Sequence, residues 1–142
     1  MHVENLRSPY IQCRGIYYFP RMIDKIRLHA AGALPVDYRE NLGGGFDSRC
    51  VVFLSIEYAP LVERVKEGGT DEQIMDWAFT HGRKPSDEEI EIWNEFLRKR
   101  GWNDENSERL AQRKREAGFA DRDDIQTFFD FIDIDEGRDS RK

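Results

Sequence analysis

Apolar positions along most of this chain recur three and four residues apart, the spacing of a helix face turned to a core. From Phe19 onward, Phe19, Met22, Ile23, Ile26, Ala30 and Ala33 follow that spacing. Pro20 suits the first helical turn, where a missing N–H costs nothing. One amphipathic helix is predicted here, ended by Gly32, Pro35 and the polar stretch to Asn41, with Gly43, Gly44 and Gly45 in the loop that follows. The run CVVFL from Cys50 to Leu54 is continuously apolar, and its pattern suits a buried helix or a buried strand. Helix is preferred, because a strand there would have only Gly15 to Phe19 to pair with, at most a small ribbon.

Further along, the helix signals strengthen. Leu61, Val62 and Val65 mark a helix ending at Gly68-Gly69. Thr70 with Gln73, and Ser86 with Glu89, are capping boxes: each hydroxyl can accept an amide proton three residues on while that residue's side chain reaches back. Ile74, Trp77 and Ala78 share the face of the first of these helices, which Gly82 ends. Ile90, Ile92, Trp93, Phe96 and Leu97 cover a broad arc of the second, and Leu97 and Trp102 hold the positions that touch in a Schellman motif around Gly101. Residues 104–117 carry acids early and bases late, as the helix dipole favours, with little apolar beyond Leu110, so a surface helix is expected. Asp121 is expected to cap a last helix with Ile125, Phe128, Phe129 and Ile132 on one face. Residues 1–16 lack periodicity and read as an extended arm, packed through Leu6, Tyr10 and Ile11; residues 135–142 read as a flexible tail. The expectation is an all-α, single-domain bundle of about six helices with an extended N-terminal arm.

Composition narrows the classes. The chain of 142 residues is the size of one domain, and 39% hydrophobic with 12% aromatic residues can fill a core despite 35% charge. A net charge of −6 disfavours phosphate attraction. The basic triplets Arg98-Lys99-Arg100 and Arg113-Lys114-Arg115 sit in last helical turns among acids, so nucleic acid is not an expected partner. No apolar run approaches the roughly 20 residues that span a bilayer, and no secretion signal precedes the arm. Cys13 and Cys50 form no C-x-x-C, so a cytoplasmic protein with reduced thiols is expected, with no cofactor and no membrane contact.

The stretches LRSPY, YFPRMIDKIRLHAAGALP, NLGGGFD, PSDEEIEIWNEF, RKRGW and DIQTFFDFID together resemble a bacterial family known as a domain of unknown function, numbered five thousand and sixty-nine. The resemblance spans nearly the whole chain. It implies a bacterial, soluble, single-domain protein and carries no mechanism.

The candidate chemistry concentrates between Tyr17 and Asp47. A helical wheel puts His29 at the edge of the apolar face near Met22 and Lys25, where a histidine can act as acid or base; the plainer reading is a boundary histidine held by a local hydrogen bond. Asp24 is one turn from Arg21 and Arg27, which suggests surface ion pairs. The glycine triplet lacks the lysine and hydroxyl of a P-loop, yet if a helix starts near Asp47 its amides and Arg49 could hold an anion; the alternative is a tight backbone passage. The leading expectation is a pocket for a small anionic ligand between the Pro20 helix and the loop. Arg21, Lys25, Gly43, Gly44, Gly45 and Arg49 would bind, and His29 would be the catalytic group if a reaction occurs. Whether the protein is an enzyme stays open. The rival is a helical protein–protein interaction module or homo-oligomer, motivated by Leu28, which lies opposite its helix's core face, and by the weakly apolar helix near Leu110.

No metal site is expected. His81 shares a face with Ile74 and Trp77 but has no second ligand at i+4. Asp133, Asp135, Glu136 and Gly137 put the glycine one position early for a calcium loop, and read as solvated acids. Cys50 should be an inert buried thiol, while Arg14 could activate Cys13 if it were exposed.

Overall fold

The computed structural model describes residues 1–138, and these form eight helices and one two-stranded antiparallel ribbon. The ribbon, β1 (Gln12–Cys13) and β2 (Ile16–Tyr17), lies inside the arm that the sequence predicts as merely extended. Gln12 pairs with Tyr17 and Cys13 with Ile16. Arg14 and Gly15 between them both have positive φ, as a two-residue hairpin turn that matches strand twist requires.

Helix α1 (Phe19–Ala30) follows with Pro20 in its first turn, as the pattern predicts. The polar stretch after it is not all loop: α2 (Val36–Arg39) forms a single turn behind Pro35. CVVFL belongs to helix α3 (Phe46–Leu54), entered directly from the glycines. Then come α4 (Tyr58–Lys66), α5 (Asp71–His81) and α6 (Asp87–Lys99). Both capping boxes form, at Thr70 with Gln73 and at Ser86 with Glu89. At the end of α6, Gly101 has the expected positive φ. The Trp102 amide, however, donates to the Lys99 carbonyl at 2.9 Å, not to that of Leu97, and Trp102 stands exposed. The turn is pulled shut from elsewhere, because the Arg100 carbonyl accepts the Phe128 amide at 2.9 Å.

Helix α7 (Ser107–Glu116) lies where predicted. The last helix, α8 (Phe128–Asp135), starts later than expected. Its cap is Thr127, whose hydroxyl accepts the Asp130 amide, and Ile125 is buried ahead of the helix. The described residues form eight helices where about six were expected, and α2 is the one that the pattern does not predict.

The main core gathers Phe19, Met22, Ile23, Leu54, Leu61, Ile74, Met75, Leu97 and Phe129. Close backbone packing holds it at Gly82, where an added Cβ would stand 2.0 Å from the Leu54 carbonyl oxygen. Two smaller clusters flank it. Leu110 packs with Ile125 and Phe131, which ties α7 to α8. Leu28 packs with Val3, Leu6 and Leu34. The second surface that Leu28 needs is therefore the chain's own arm, and that motive for an oligomer falls away.

Candidate functional site

Helix α1 is amphipathic, yet it buries charge. Arg21, Asp24 and Lys25 are only 4%, 6% and 6% exposed. Each is matched by a partner from another element. Asp24 accepts two bonds from the Arg7 guanidinium at 2.8 Å and one from its backbone N–H at 3.0 Å. Arg7 and Arg27 both reach Asp71 at 2.8 Å, so this network pins the arm and α5 to α1; of the two expected pairs Arg27–Asp24 forms at 3.7 Å, on a buried Asp24, while Arg21 turns to Glu136 instead.

On the other flank Arg21 grips Glu136 through two nitrogens, at 2.8 and 2.6 Å, and donates to the Arg7 carbonyl at 3.1 Å. Glu136 also accepts from Tyr38 Oη at 2.8 Å and Arg138 at 2.7 Å. Burial alone would push the Glu136 carboxyl up, but Arg21, Arg138 and Tyr38 hold it below the usual carboxylate range. This residue falls in the stretch predicted as a solvated tail. Asp133, similarly, is buried against Ser8 and Arg138. Residues 139–142 of that predicted tail lie outside the described residues.

One turn along α1, Lys25 Nζ meets Asp47 Oδ1 at 2.9 Å. Asp47 is fully buried and is the centre of a small hub: Tyr18 Oη donates to Oδ1 at 2.6 Å, and the Gly43 amide donates to Oδ2 at 3.1 Å. The glycine loop thus does bring an amide to an anion, but the anion is the chain's own carboxylate. Gly43 has φ +76°, and a Cβ there would press on the Tyr58 ring at 3.0 Å, so the passage is tight at Gly43 alone, and against a side chain where a backbone contact was expected; a Cβ on Gly45 would meet nothing within 4 Å. Burial pushes the Lys25 amine down, against the pull of Asp47. Burial, with Asp47 beside it, pushes the Tyr18 hydroxyl well up.

A cavity of about 530 Å³ opens over this hub, between α1, the glycine loop, α2 and α8. Tyr18, Tyr38, Phe46, Phe128 and Phe131 supply aromatic wall; Arg21, Lys25 and Arg113 supply cations, and Asp37, Asp135 and Glu136 acids. An ammonium carries three N–H donors. Among the described residues Asp47 is the one acceptor that Lys25 reaches, with the Tyr18 ring 5.6 Å away.

Of the residues singled out from sequence, Arg21, Lys25, Gly44 and Gly45 line this cavity together, and Gly43 stands just behind it. Arg49 does not join them. It faces a second, open groove of about 860 Å³ between α3 and α6, lying over the Phe96 ring at 5.1 Å. His29 is exposed in the last turn of α1 and lines neither. A helical wheel gives direction but not depth: the arm covers the Leu28 side of that turn and leaves His29 in solvent. Tyr18, Tyr38, Asp47 and Glu136 were not singled out. The available signal is the set of acids spaced through FFDFIDIDE, whose apolar neighbours imply burial; Asp47, separated from the three glycines by Phe46, carries none.

Residues 3–138 match the model of a domain of unknown function, DUF5069. The chain belongs to that family. No curated protein matches it. Every element of this DUF5069 domain from β1 to α8 lies inside the matched range, as does the whole hub of Tyr18, Lys25, Gly43 and Asp47. Among the described residues no helix is long and apolar enough to cross a membrane.

Elsewhere the domain offers less chemistry. Cys13 and Cys50 are free and buried. Cys13 donates to Glu72, and burial with that carboxylate pushes its thiol up to about 12, the opposite of activation by Arg14. Burial likewise pushes the Cys50 thiol up. His81 Nδ1 lies 2.9 Å from the Trp77 carbonyl and its ring stacks on Trp77. Among the described residues no cluster of His, Cys, Asp and Glu could hold a metal ion. Five of the six residues of the basic triplets have local partners: Arg98 and Lys99 meet Glu95, Arg100 meets Asp104, Arg113 meets Glu116, and Lys114 donates to the Arg122 and Ile125 carbonyls.

Proposed function

We propose that this domain binds a small anionic molecule in the cavity between α1 and the glycine loop. The observation that carries the reading is Lys25: a buried ammonium in a cavity wall, with one protein acceptor for three N–H donors. An N–H left without an acceptor away from water is costly, and an anionic oxygen would satisfy it. Arg113 at the mouth, whose nearest carboxylate is Glu116 at 4.0 Å, adds a weakly committed cation, and the aromatic walls suit a compact apolar body. His29 and Arg49 take no part.

The test is thermal shift and calorimetry against phosphate, small carboxylates and nucleotides. A binder is expected whose affinity falls by about tenfold or more in Lys25→Gln, the worth of one charge-assisted hydrogen bond. His29→Ala and Arg49→Ala should leave it unchanged. No binder at all, or a binder indifferent to Lys25→Gln in a folded variant, sinks the reading.

A second reading, a self-associating or partner-binding surface, is favoured by the other groove, where Val52, Ile92 and Phe96 are 72%, 63% and 40% exposed. Apolar exposure on that scale beside arginines is typical of contact surfaces. Sedimentation velocity over a wide concentration range should then show dimers that Phe96→Glu abolishes; a strict monomer throughout would remove self-association.

A further inference from the structure

The hub below the cavity has more than an ion pair needs. Asp47 binds Lys25 and Tyr18 through the same oxygen, so an amine, a carboxylate and a phenol share one hydrogen-bonded point at the cavity wall. The remaining lysines among the described residues lie elsewhere: Lys66, Lys84 and Lys99 are exposed, and Lys114 is bound to two carbonyls. Lys25 is the amine that the fold withdraws from water and places beside a proton acceptor.

We propose that Lys25 forms a reversible imine with the carbonyl carbon of a small oxo acid seated in this cavity. The proposal rests on the anion-binding reading above, and specifies the anion as one that carries a carbonyl. The ammonium first passes a proton to Asp47, 2.9 Å away. The freed nitrogen pair attacks the carbonyl carbon, the C=O π pair moves to oxygen, and a proton shifts from nitrogen to that oxygen. Asp47 then returns its proton to the resulting hydroxyl, which leaves as water while nitrogen donates its pair to form C=N. One ammonium and one carbonyl become one protonated imine and one water, so charge and hydrogens balance without an oxidant or reductant. The product's positive charge remains next to the Asp47 carboxylate. Tyr18, donating to the same Asp47 oxygen at 2.6 Å, is a positioning residue that fixes the carboxylate. Arg113 at the mouth meets the carboxylate of the oxo acid. Burial, which pushes the Lys25 amine down, enlarges the neutral fraction that can attack.

The full chain incubated with pyruvate and cyanoborohydride provides the test, with the adduct located by peptide mass mapping. Lys25 should carry the reduced adduct at about tenfold or more the level of any exposed lysine, because the cavity holds the oxo acid beside this amine and its proton acceptor. Asp47→Asn, if folded by circular dichroism, should lose that preference; the site-resolved labelling of the unaltered protein decides the matter even if the variant does not fold. Labelling confined to exposed lysines overturns the imine. Lactate, which has the carboxylate without the carbonyl, separates the two readings: binding of lactate and pyruvate with Lys25 unlabelled leaves anion binding standing and overturns the imine. Binding of neither, with no adduct at Lys25, overturns both.

Discussion

Replacing Asp47 by alanine is expected to cost about 3–5 kcal/mol of stability, the range for breaking a buried ion pair from one side. The deletion strands the Lys25 ammonium, the Tyr18 hydroxyl and the Gly43 amide at once, because all three bond to the fully buried Asp47 carboxylate. Since whole domains are stable by only about 5–15 kcal/mol, the variant should be close to unfolding at ambient temperature. Urea denaturation measures it. The informative partner is the double variant Asp47→Leu with Lys25→Met, which removes both charges and should recover much of the loss, as apolar replacement of buried pairs often does. A loss below about 1 kcal/mol in Asp47→Ala would mean that Lys25 and Asp47 do not form a buried charged pair, the amine being neutral or met by water instead.

Phe129→Ala should be similarly damaging, again by about 3–5 kcal/mol, but for a different reason. Phe129 is fully buried at the junction of the ribbon, α1, α3 and α8. Its ring meets Tyr10 at 5.0 Å, Phe46 at 5.4 Å, Tyr17 at 6.3 Å and Tyr18 at 6.4 Å. Removing it opens a void that four aromatic neighbours cannot fill without leaving their own partners: Tyr10 and Tyr18 are tied by hydrogen bonds to Asp130 and Asp47. Phe129→Leu should cost clearly less. Because Tyr18 and Phe46 also wall the cavity, Phe129→Ala should weaken any bound anion as well, which calorimetry on the residual folded protein would show.

The two variants differ in how far their roles could be read from the chain. Phe129 lies on a recognisable apolar stripe, and its burial follows from spacing alone. Asp47 has no such stripe; nothing within a few residues of it distinguishes a hub from a solvated acid after a glycine loop. For Glu136 the apolar neighbours in FFDFIDIDE hint at burial but not at its partner Arg21, 115 residues away in sequence, and Asp24 gives no hint of Arg7, 17 away. Arg21 and Lys25 could be placed in a pocket with the glycines because one helix and one adjoining loop were enough to suggest it. His29 and Arg49 were drawn in by the same proximity and then separated by depth and by the two faces of the loop.

Sequence alone determined the helical character, the start of α1 at Pro20, both capping boxes, the positive φ of Gly101 and the placing of the glycine loop, because each depends on groups within about one or two helical turns of each other. Only the tertiary structure decided which charges are buried. A charged side chain leaves water when a partner from a distant segment arrives to hold it, and local spacing carries no record of that partner. So α1 reads as an amphipathic helix with a polar face, and folds as a helix whose polar face is itself part of the interior, with Arg21, Asp24 and Lys25 held by Glu136, Arg7 and Asp47.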